Sequence, residues 1–390
     1  MLILVLGIFA KILSWNSADG RCYMSPSDEV LLIDASKKKP EILMPVPRTT
    51  FVLLRDKDSV EIYCPRRNDE AEITGAICRY GTLLNNNLGP LDSVWCAKSP
   101  EIDVQYTGEN CSENQEKFQI GFPYKENEFL HVIENCFSNE TRISRYTIST
   151  ISKAINGNLT LDNRSKCETA NSFDDIPDLN QLYGKEVQRN TINKQLGFNY
   201  NSSKYINDTH YLRQGYLTPR ADFIYKSQQD AASQCLNVVP QWKILNEGNW
   251  KILESNLRDL ASSRGIDLGI YTGTSGILSF PHNETGELTE LYLNVDGTKK
   301  VIPIPKYIWK IAFDDVSQRS IAFVAVNNPY LDNLEDVTIC TNICHVLSYI
   351  TFNSSDYIRN GYVYCCAVQD LPNTILIPEY ELIGGIGLLA

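Results

Sequence analysis

Along the first part of the chain, short apolar runs alternate with clusters of turn-forming residues. The runs at 29–33, 50–54 and 59–64 are rich in β-branched and aromatic residues, and polar, Pro- and Gly-containing breaks follow at 37–40, 65–69 and 85–90. This period-two text predicts a β-rich unit from Val30 to about Cys96. More strand-like text lies at 129–133 and 146–152, whereas 156–209 is polar and Asn-rich and predicts mostly surface loops with one short helix near 179–182. The clearest helix spans 247–263, because Trp250, Leu253, Leu257 and Leu260 recur at steps of three and four and form one apolar face. Asn246 is placed to cap its start, Glu247 suits the positive end of the helix dipole, and Arg264-Gly265 offers a basic last turn and a stop. Further strands are expected at 268–272, 288–295, 309–313 and 320–326.

Composition narrows the class. With 390 residues, 43% hydrophobic and 21% charged, the chain can build a substantial core and is not a disordered, fibrous or multi-spanning membrane protein. Residues 2–10 are apolar but too short to span a bilayer. They read as a secretory leader ending at Ser17 or Ala18, with a buried N-terminal strand or helix as the alternative. Twelve cysteines at irregular spacing favour disulfides over zinc; Cys340, Cys344 and His345 are a faint zinc look-alike, and the connectivity is open. Eight N-x-S/T sites, at Asn110, Asn139, Asn158, Asn163, Asn201, Asn207, Asn283 and Asn353, mark exposed loops in a secreted chain. These features together predict a secreted, extracellular glycoprotein with no membrane partner.

The net charge of −11 argues against wholesale coating of nucleic acid. The sum hides local structure, however. Residues 211–264 carry a net +2, and Lys299, Lys300, Lys306 and Lys310 occur with no acid between Asp296 and Asp314. That region holds the chemistry: Arg213-Gln-Gly-Tyr216 with Pro219, then Asn237-Val-Val-Pro-Gln241, then Asn246-Glu-Gly-Asn-Trp250 with Glu254 and Arg258. Positions 246, 250, 254 and 258 are successive four-residue steps and share one stripe of a helix.

These motifs resemble the DNA/RNA non-specific endonuclease family, nucleases with a ββα-metal active site, over roughly residues 117–330. Tyr271-Thr-Gly273, Ile304-Pro-Lys306 leading to Lys310, and Asn327-Asn-Pro329 add to the likeness. Within that family the chain looks most like tsetse salivary-gland nuclease-like proteins. The resemblance implies an α+β fold: a central mixed or antiparallel sheet with flanking helices, and a β-rich, disulfide-containing N-terminal region. The expected division is a leader at 1–18, the N-terminal region at 19–116 and the nuclease-like domain at 117–390. The implied chemistry is phosphodiester hydrolysis, in which a His takes a proton from water and an Asn holds Mg²⁺ at the scissile phosphate. A helix Glu orients water, and an Arg one turn on neutralises charge building on phosphorus. By position, Asn246 is the metal Asn, Glu254 the helix carboxylate, Arg258 the Arg, and Asn237 and Gln241 the supporting amides.

The first motif departs from the family. Where the pattern reads Asp-Arg-Gly-His, this chain has Arg213, Gln214, Gly215 and Tyr216. An unperturbed phenol has a pKa of about 10, so on the order of one in a thousand is ionised at neutral pH, and Tyr216 is a poor base. His210 lies six residues upstream, with no counterpart in the family pattern. The expectation is therefore a secreted protein that binds DNA and RNA without sequence preference and has residual or no hydrolysis. Arg213, Arg220, Asn237, Gln241, Lys243, Lys306 and Lys310 are its candidate substrate-binding residues. Two other readings stay open: an active Mg²⁺-dependent endonuclease with an unconventional base, and a secreted scaffold that binds host proteins.

Overall fold

The computed structural model describes residues 10–16, 19–25, 30–65, 71–91, 93–96, 99–112, 114–126, 128–156, 166–169, 178–373, 375 and 387–390. One long sheet organises most of them. Its strands lie in the order Asp103–Ser112, Gln115–Lys125, Glu128–Ser138, Ile143–Ile151, Leu268–Ile277, Pro305–Asp314, Arg319–Val326 and Tyr362–Cys366, all antiparallel. Gly387–Leu388 adds one parallel pairing beside Arg319–Val326. Two meanders of neighbouring strands thus meet where Ile151 pairs with Leu268. The chain leaves the sheet at this seam, and the excursion of residues 152–267 carries the candidate site.

Period-two alternation assigns the sheet's faces. On one side, Ile308, Ala312, Ile321, Phe323, Ala325 and Val363 pack against Trp250, Leu253, Leu257 and Leu260 of the helix Asn249–Arg264. On the other, Trp309, Ile311, Phe313, Val324 and Tyr364 form a separate core. The adjacent Cys365 and Cys366 point to opposite faces, so Cys344–Cys365 belongs to the helix side and Cys340–Cys366 to the far side. Both would-be zinc cysteines are therefore consumed, and no described cysteine is free. Cys22–Cys78, Cys111–Cys136 and Cys167–Cys235 are further bridges, and Cys96 is disulfide-bonded as well.

The N-terminal region is β-rich as the pattern predicts. A four-stranded sheet (Val52–Leu54, Cys22–Ser25, Ala10–Asn16, Ser93–Cys96) and a five-stranded sheet (Glu41–Ile42, Leu31–Asp34, Ser59–Pro65, Ala71–Arg79, Thr82–Asn85) enclose Met24, Leu32, Val60 and Ile62. Leu31, Ile33 and Tyr63 pack into the core under Phe118, Ile120 and Phe122, and the Tyr225 hydroxyl donates to the Leu43 carbonyl at 2.6 Å. Of the expected leader, residues 1–9, 17 and 18 lie outside the described residues, and Ala10–Asn16 is a strand. The central sheet takes in residues on both sides of position 116/117, since Asp103–Ser112 pairs with Gln115–Lys125. No helix among the described residues is long and apolar enough to cross a membrane.

Two local expectations need correction. The polar stretch before residue 209 contains an eleven-residue helix, Lys185–Gln195, besides the expected short one at Leu179–Leu182. Its low apolar content hid it: only Gln188, Ile192 and Asn193 are buried, and the Gln188 side-chain amide donates to the Leu212 carbonyl and accepts the Leu212 N–H. The second concerns Asn246. It ends a short helix, Lys243–Asn246, and does not cap the long one, which starts at Asn249 after a break at Gly248. A Cβ at Gly248 would sit 2.3 Å from the carbonyl oxygens of both Ile244 and Asn360, so only glycine fits this corner. The αL stop at Gly265 (φ 66°) is as the sequence predicts. Gly248→Ala should lower the unfolding free energy by about 3 kcal/mol in a urea titration, because neither contact is a flexible side chain that can swing away.

Candidate active-site cleft

The cleft has two walls. One is the hairpin of Leu212–Tyr216 with Val238–Trp242, in which Arg213 pairs with Gln241 and Tyr216 with Val238. The other is the turn from Asn246 into the long helix. Arg213, Gln214, Tyr216, Pro219, Asn246, Glu247, Lys251 and Glu254 line a cavity of about 360 Å³ between them. A larger cavity, about 610 Å³, lies elsewhere between the 39–45 segment and the sheet, with Asp222 at its edge.

Amide clamps hold this geometry. Buried Asn237 accepts the Thr218 N–H at 3.0 Å and donates to the carbonyls of Thr218 (2.7 Å) and Ala232 (2.8 Å), which locks the turn after Tyr216. Asn327 accepts the Trp242 N–H and donates to the carbonyls of Pro240 and Pro305, each at 2.9 Å, so it ties the hairpin to the sheet. Asn246 Nδ2 donates to Gln241 Oε1 at 2.7 Å, which orients the Asn246 amide. Gly215 is needed beneath this pair, since a Cβ there would lie 2.5 Å from Gln241 Oε1. Gln214, at the position where the family motif has Arg, accepts the Cys167 N–H (2.9 Å) and donates to Asn180 Oδ1 (2.9 Å).

Beneath the cleft lies a buried charge cluster. Lys310 is 1% exposed and occupies a helix-facing position between Ile308 and Ala312. Its ammonium donates to Thr272 Oγ1 (2.6 Å) and the Leu217 carbonyl (3.2 Å), and it sits 5.6 Å from the centre of the Trp250 ring. Arg258 donates to the buried carboxylate of Asp222 at 2.9 Å. Glu254 and Asp222 are within electrostatic reach of both cations. Burial is the largest influence throughout: it pushes Glu254 up to about 7, raises Asp222 and lowers Lys310, while the mutual attractions work in the opposite direction. Glu254 keeps part of its surface at the cleft, so it joins the cluster to the cavity.

The structure brings Tyr216, Asn246, Glu254 and Arg213 together around one cavity, and Arg258 lies behind Glu254 in contact with Asp222. Lys243 stands at the rim, 3.9 Å from Glu247 and 5.5 Å from the Tyr211 ring centre. Three other candidates are braced inside the fold. Arg220 is 8% exposed and bonds Asp230 and the Gln229 carbonyl, and Asn237 and Lys310 are fully engaged as above. Lys306 is half-buried beside Tyr307 and does not line the cleft. Nor does His210, whose ring packs on Tyr330 and meets Thr209 Oγ1 at 2.9 Å. Sequence reasoning missed Asp222 as the partner of Arg258 and Glu247 as a cleft residue; Lys251, counted among the cations of the motif region, also lines the cavity. The inward position of Lys310 was readable in principle, because it alternates in phase with Ile308 and Ala312.

The DNA/RNA non-specific endonuclease family matches residues 113–371. The chain belongs to that family. Its α+β architecture, with an antiparallel sheet, the site hairpin and the long helix, is the ββα-metal nuclease fold. It is similar to a "Salivary endonuclease" of Lutzomyia longipalpis, 27% identical over 88% of this chain and 82% of that protein. It is also similar to "Salivary protein Tsal1" of Glossina morsitans morsitans, 26% identical over 79% of this chain and 76% of that one. Among solved structures, the EndoG/EndoGI complex matches 53% of this chain and 74% of that chain at 13% identity and a TM-score of 0.33. Both relatives are named as salivary proteins, and the disulfides of this chain are of the kind that persists in an oxidising compartment.

The raised pKa of Glu254 has a consequence for stability. A carboxyl that binds its proton more tightly folded than unfolded stabilises the fold below its unfolded pKa, near 4.5, and that contribution is lost as pH rises through about 7. Unfolding titrations of wild type and Glu254→Gln across this window should therefore show a wild-type advantage that shrinks with rising pH.

Proposed function

We propose that this protein is a secreted nucleic-acid-binding member of the endonuclease family in which phosphodiester hydrolysis is residual or absent. The observation that carries the reading is the cleft itself: Tyr216, which the motif aligns with the family's base, lines the same cavity as Asn246 and Glu254, and its hydroxyl oxygen is buried. The supporting framework around it is intact, from Gly215 and Gln241 to the Asn237 and Asn327 clamps. Arg213, Lys243 and Lys251 offer a basic rim in an otherwise acidic chain, suited to the sugar–phosphate backbone and therefore to DNA and RNA without sequence preference. Tyr216 and Tyr211 add aromatic surface that can stack on bases.

The family is generally Mg²⁺-dependent, and the donors here suit that ion. Gln241 holds the amide nitrogen of Asn246, and among the described residues the Asn246 Oδ1 carries no hydrogen bond, while Glu254 supplies a second oxygen donor on the same cavity wall. Such a sparse protein set matches an ion that keeps most of its waters. When bound, Mg²⁺ supplies charge stabilisation at the phosphate and the leaving oxygen. The chain's own residues then bind and orient the backbone: Arg213 and Lys243 at the rim, Asn246 at the centre. Arg258 contributes positive potential from behind, partly neutralised by Asp222. Proton removal from water falls to Tyr216, a phenol ill suited to it at neutral pH and with a buried hydroxyl, or to Glu254, the long-helix carboxylate that shares the cavity with Asn246. The second assignment is the basis of the alternative, an active enzyme with an unconventional base.

Mobility-shift titrations should show binding of both DNA and RNA near physiological salt, weakening steeply as salt rises, and absence of binding to either polymer overturns the proposal. In plasmid-cleavage assays with Mg²⁺, wild type should be at or near background and Tyr216→His should be faster by about tenfold or more. Robust wild-type cleavage that Glu254→Gln abolishes favours the unconventional-base enzyme instead.

A further inference from the structure

Glu247 is in an unusual position for a protein that binds phosphates. It stands at the break between the short and long helices, on the exposed edge of the cleft. One carboxylate oxygen lies 3.0 Å from the Arg213 guanidinium on the opposite wall, and the other lies 3.9 Å from the Lys243 ammonium. Its two oxygens thus bridge two cations from separate elements, as two oxygens of a phosphodiester would. Lys243 in turn sits 5.5 Å from the Tyr211 ring, with Lys185 4.4 Å from the same ring. Arg213, Lys243, Tyr211 and Lys185 are thus linked in series around one aromatic ring, and Lys185 is itself 3.6 Å from Asp208.

We infer that Arg213 and Lys243 form a subsite for one backbone phosphate of nucleic acid at the mouth of the cleft, and that Glu247 occupies this subsite in the free protein as an internal phosphate mimic. Nucleic acid displaces the carboxylate, which can swing into solvent because all three side chains are 33–45% exposed. An exposed ion pair of this kind is weak enough to be exchanged for a phosphate contact, yet it must be broken each time a strand binds. Glu247 therefore holds affinity down and masks the cations that would add to the salt dependence. The reach of Lys185 and Tyr211 beyond the subsite suits a single strand, with a base lying on the ring next to the held phosphate. The inference rests on the nucleic-acid reading proposed above for its natural ligand, but not for the subsite itself.

The test is Glu247→Gln, which keeps the size of the side chain and removes its charge. A single-stranded oligonucleotide should bind the variant roughly threefold to tenfold more tightly than wild type at low salt. The slope of log affinity against log salt should become steeper by up to about one, since in wild type the displaced carboxylate takes up a counterion that offsets the one released from the phosphate. Both gains should vanish in the double variant Glu247→Gln/Arg213→Gln. Where wild type binds the oligonucleotide, unchanged or weaker binding by Glu247→Gln overturns the inference. Inorganic pyrophosphate, followed by the Arg213 side-chain NMR signal, separates the subsite from the polymer. Pyrophosphate should shift that signal in Glu247→Gln and much less in wild type, and no shift in the variant overturns the inference whatever nucleic acid does. If the variant takes pyrophosphate while neither protein binds any oligonucleotide, the subsite stands and the nucleic-acid reading falls.

Discussion

The structure depends on a lysine in the core. Lys310 occupies the middle of a strand whose neighbours on the same face, Ile308 and Ala312, pack directly under the site helix. An ammonium in that position is tolerable only with partners, because taking it out of water unpaired costs several kcal/mol. Thr272 and the Leu217 carbonyl satisfy its hydrogens, the Trp250 ring faces it, and Glu254 and Asp222 supply the opposing charge. These partners come from the neighbouring strand (Thr272), the connection between the two hairpin strands (Leu217 and Asp222) and the long helix (Trp250 and Glu254). Meeting the needs of one buried charge therefore fixes how the excursion of 152–267 sits on the sheet.

Once the helix register is set in this way, the cleft follows. Trp250 goes to the core, Glu254 reaches up to the cavity floor, and the glycine corner at 248 puts Asn246 opposite the hairpin. The hairpin is held by backbone-directed amides, Asn237 and Asn327, which depend on no ligand and no metal. The scaffold can thus keep its shape while the chemistry at its rim changes. Arg213 and Gln214 illustrate the change. Gln214 has joined the bracing network of Cys167 and Asn180, and Arg213 has placed a cation where the motif carries an acid.

The acidic balance of the chain and its basic rim do not conflict. The −11 total is spread over 390 residues, whereas the cations that matter are a handful brought to one edge, with Glu247 setting how much of their charge is presented. The N-terminal sheets pack through Leu31, Ile33 and Tyr63 on the core that holds Phe118, Ile120 and Phe122 together with Phe223 and Tyr225 of the excursion.

Local pattern was enough to reveal much of this protein. The apolar stripe of Trp250, Leu253, Leu257 and Leu260, the αL stop at Gly265, the β-rich N-terminal text, the even cysteine count and the spaced motif from Arg213 to Arg258 all depend on residues close together in the chain. They identified the helix, the fold class and the residues of the cleft. Local pattern failed where a residue's role depends on a distant partner. Asn246 reads as a helix cap until Asn360, from a separate segment, crowds Gly248 and forces a corner. The helix Lys185–Gln195 is too polar to show a stripe because it is anchored through Gln188 to the Leu212 backbone. Lys310 and Arg220 read as members of a basic surface, but Glu254, Asp222 and Asp230 draw them inward. The sequence by itself determined which residues could form the site; only the tertiary structure decided which of them face the cavity and which brace it, because charge pairing and desolvation are set by neighbours that the chain order does not place side by side.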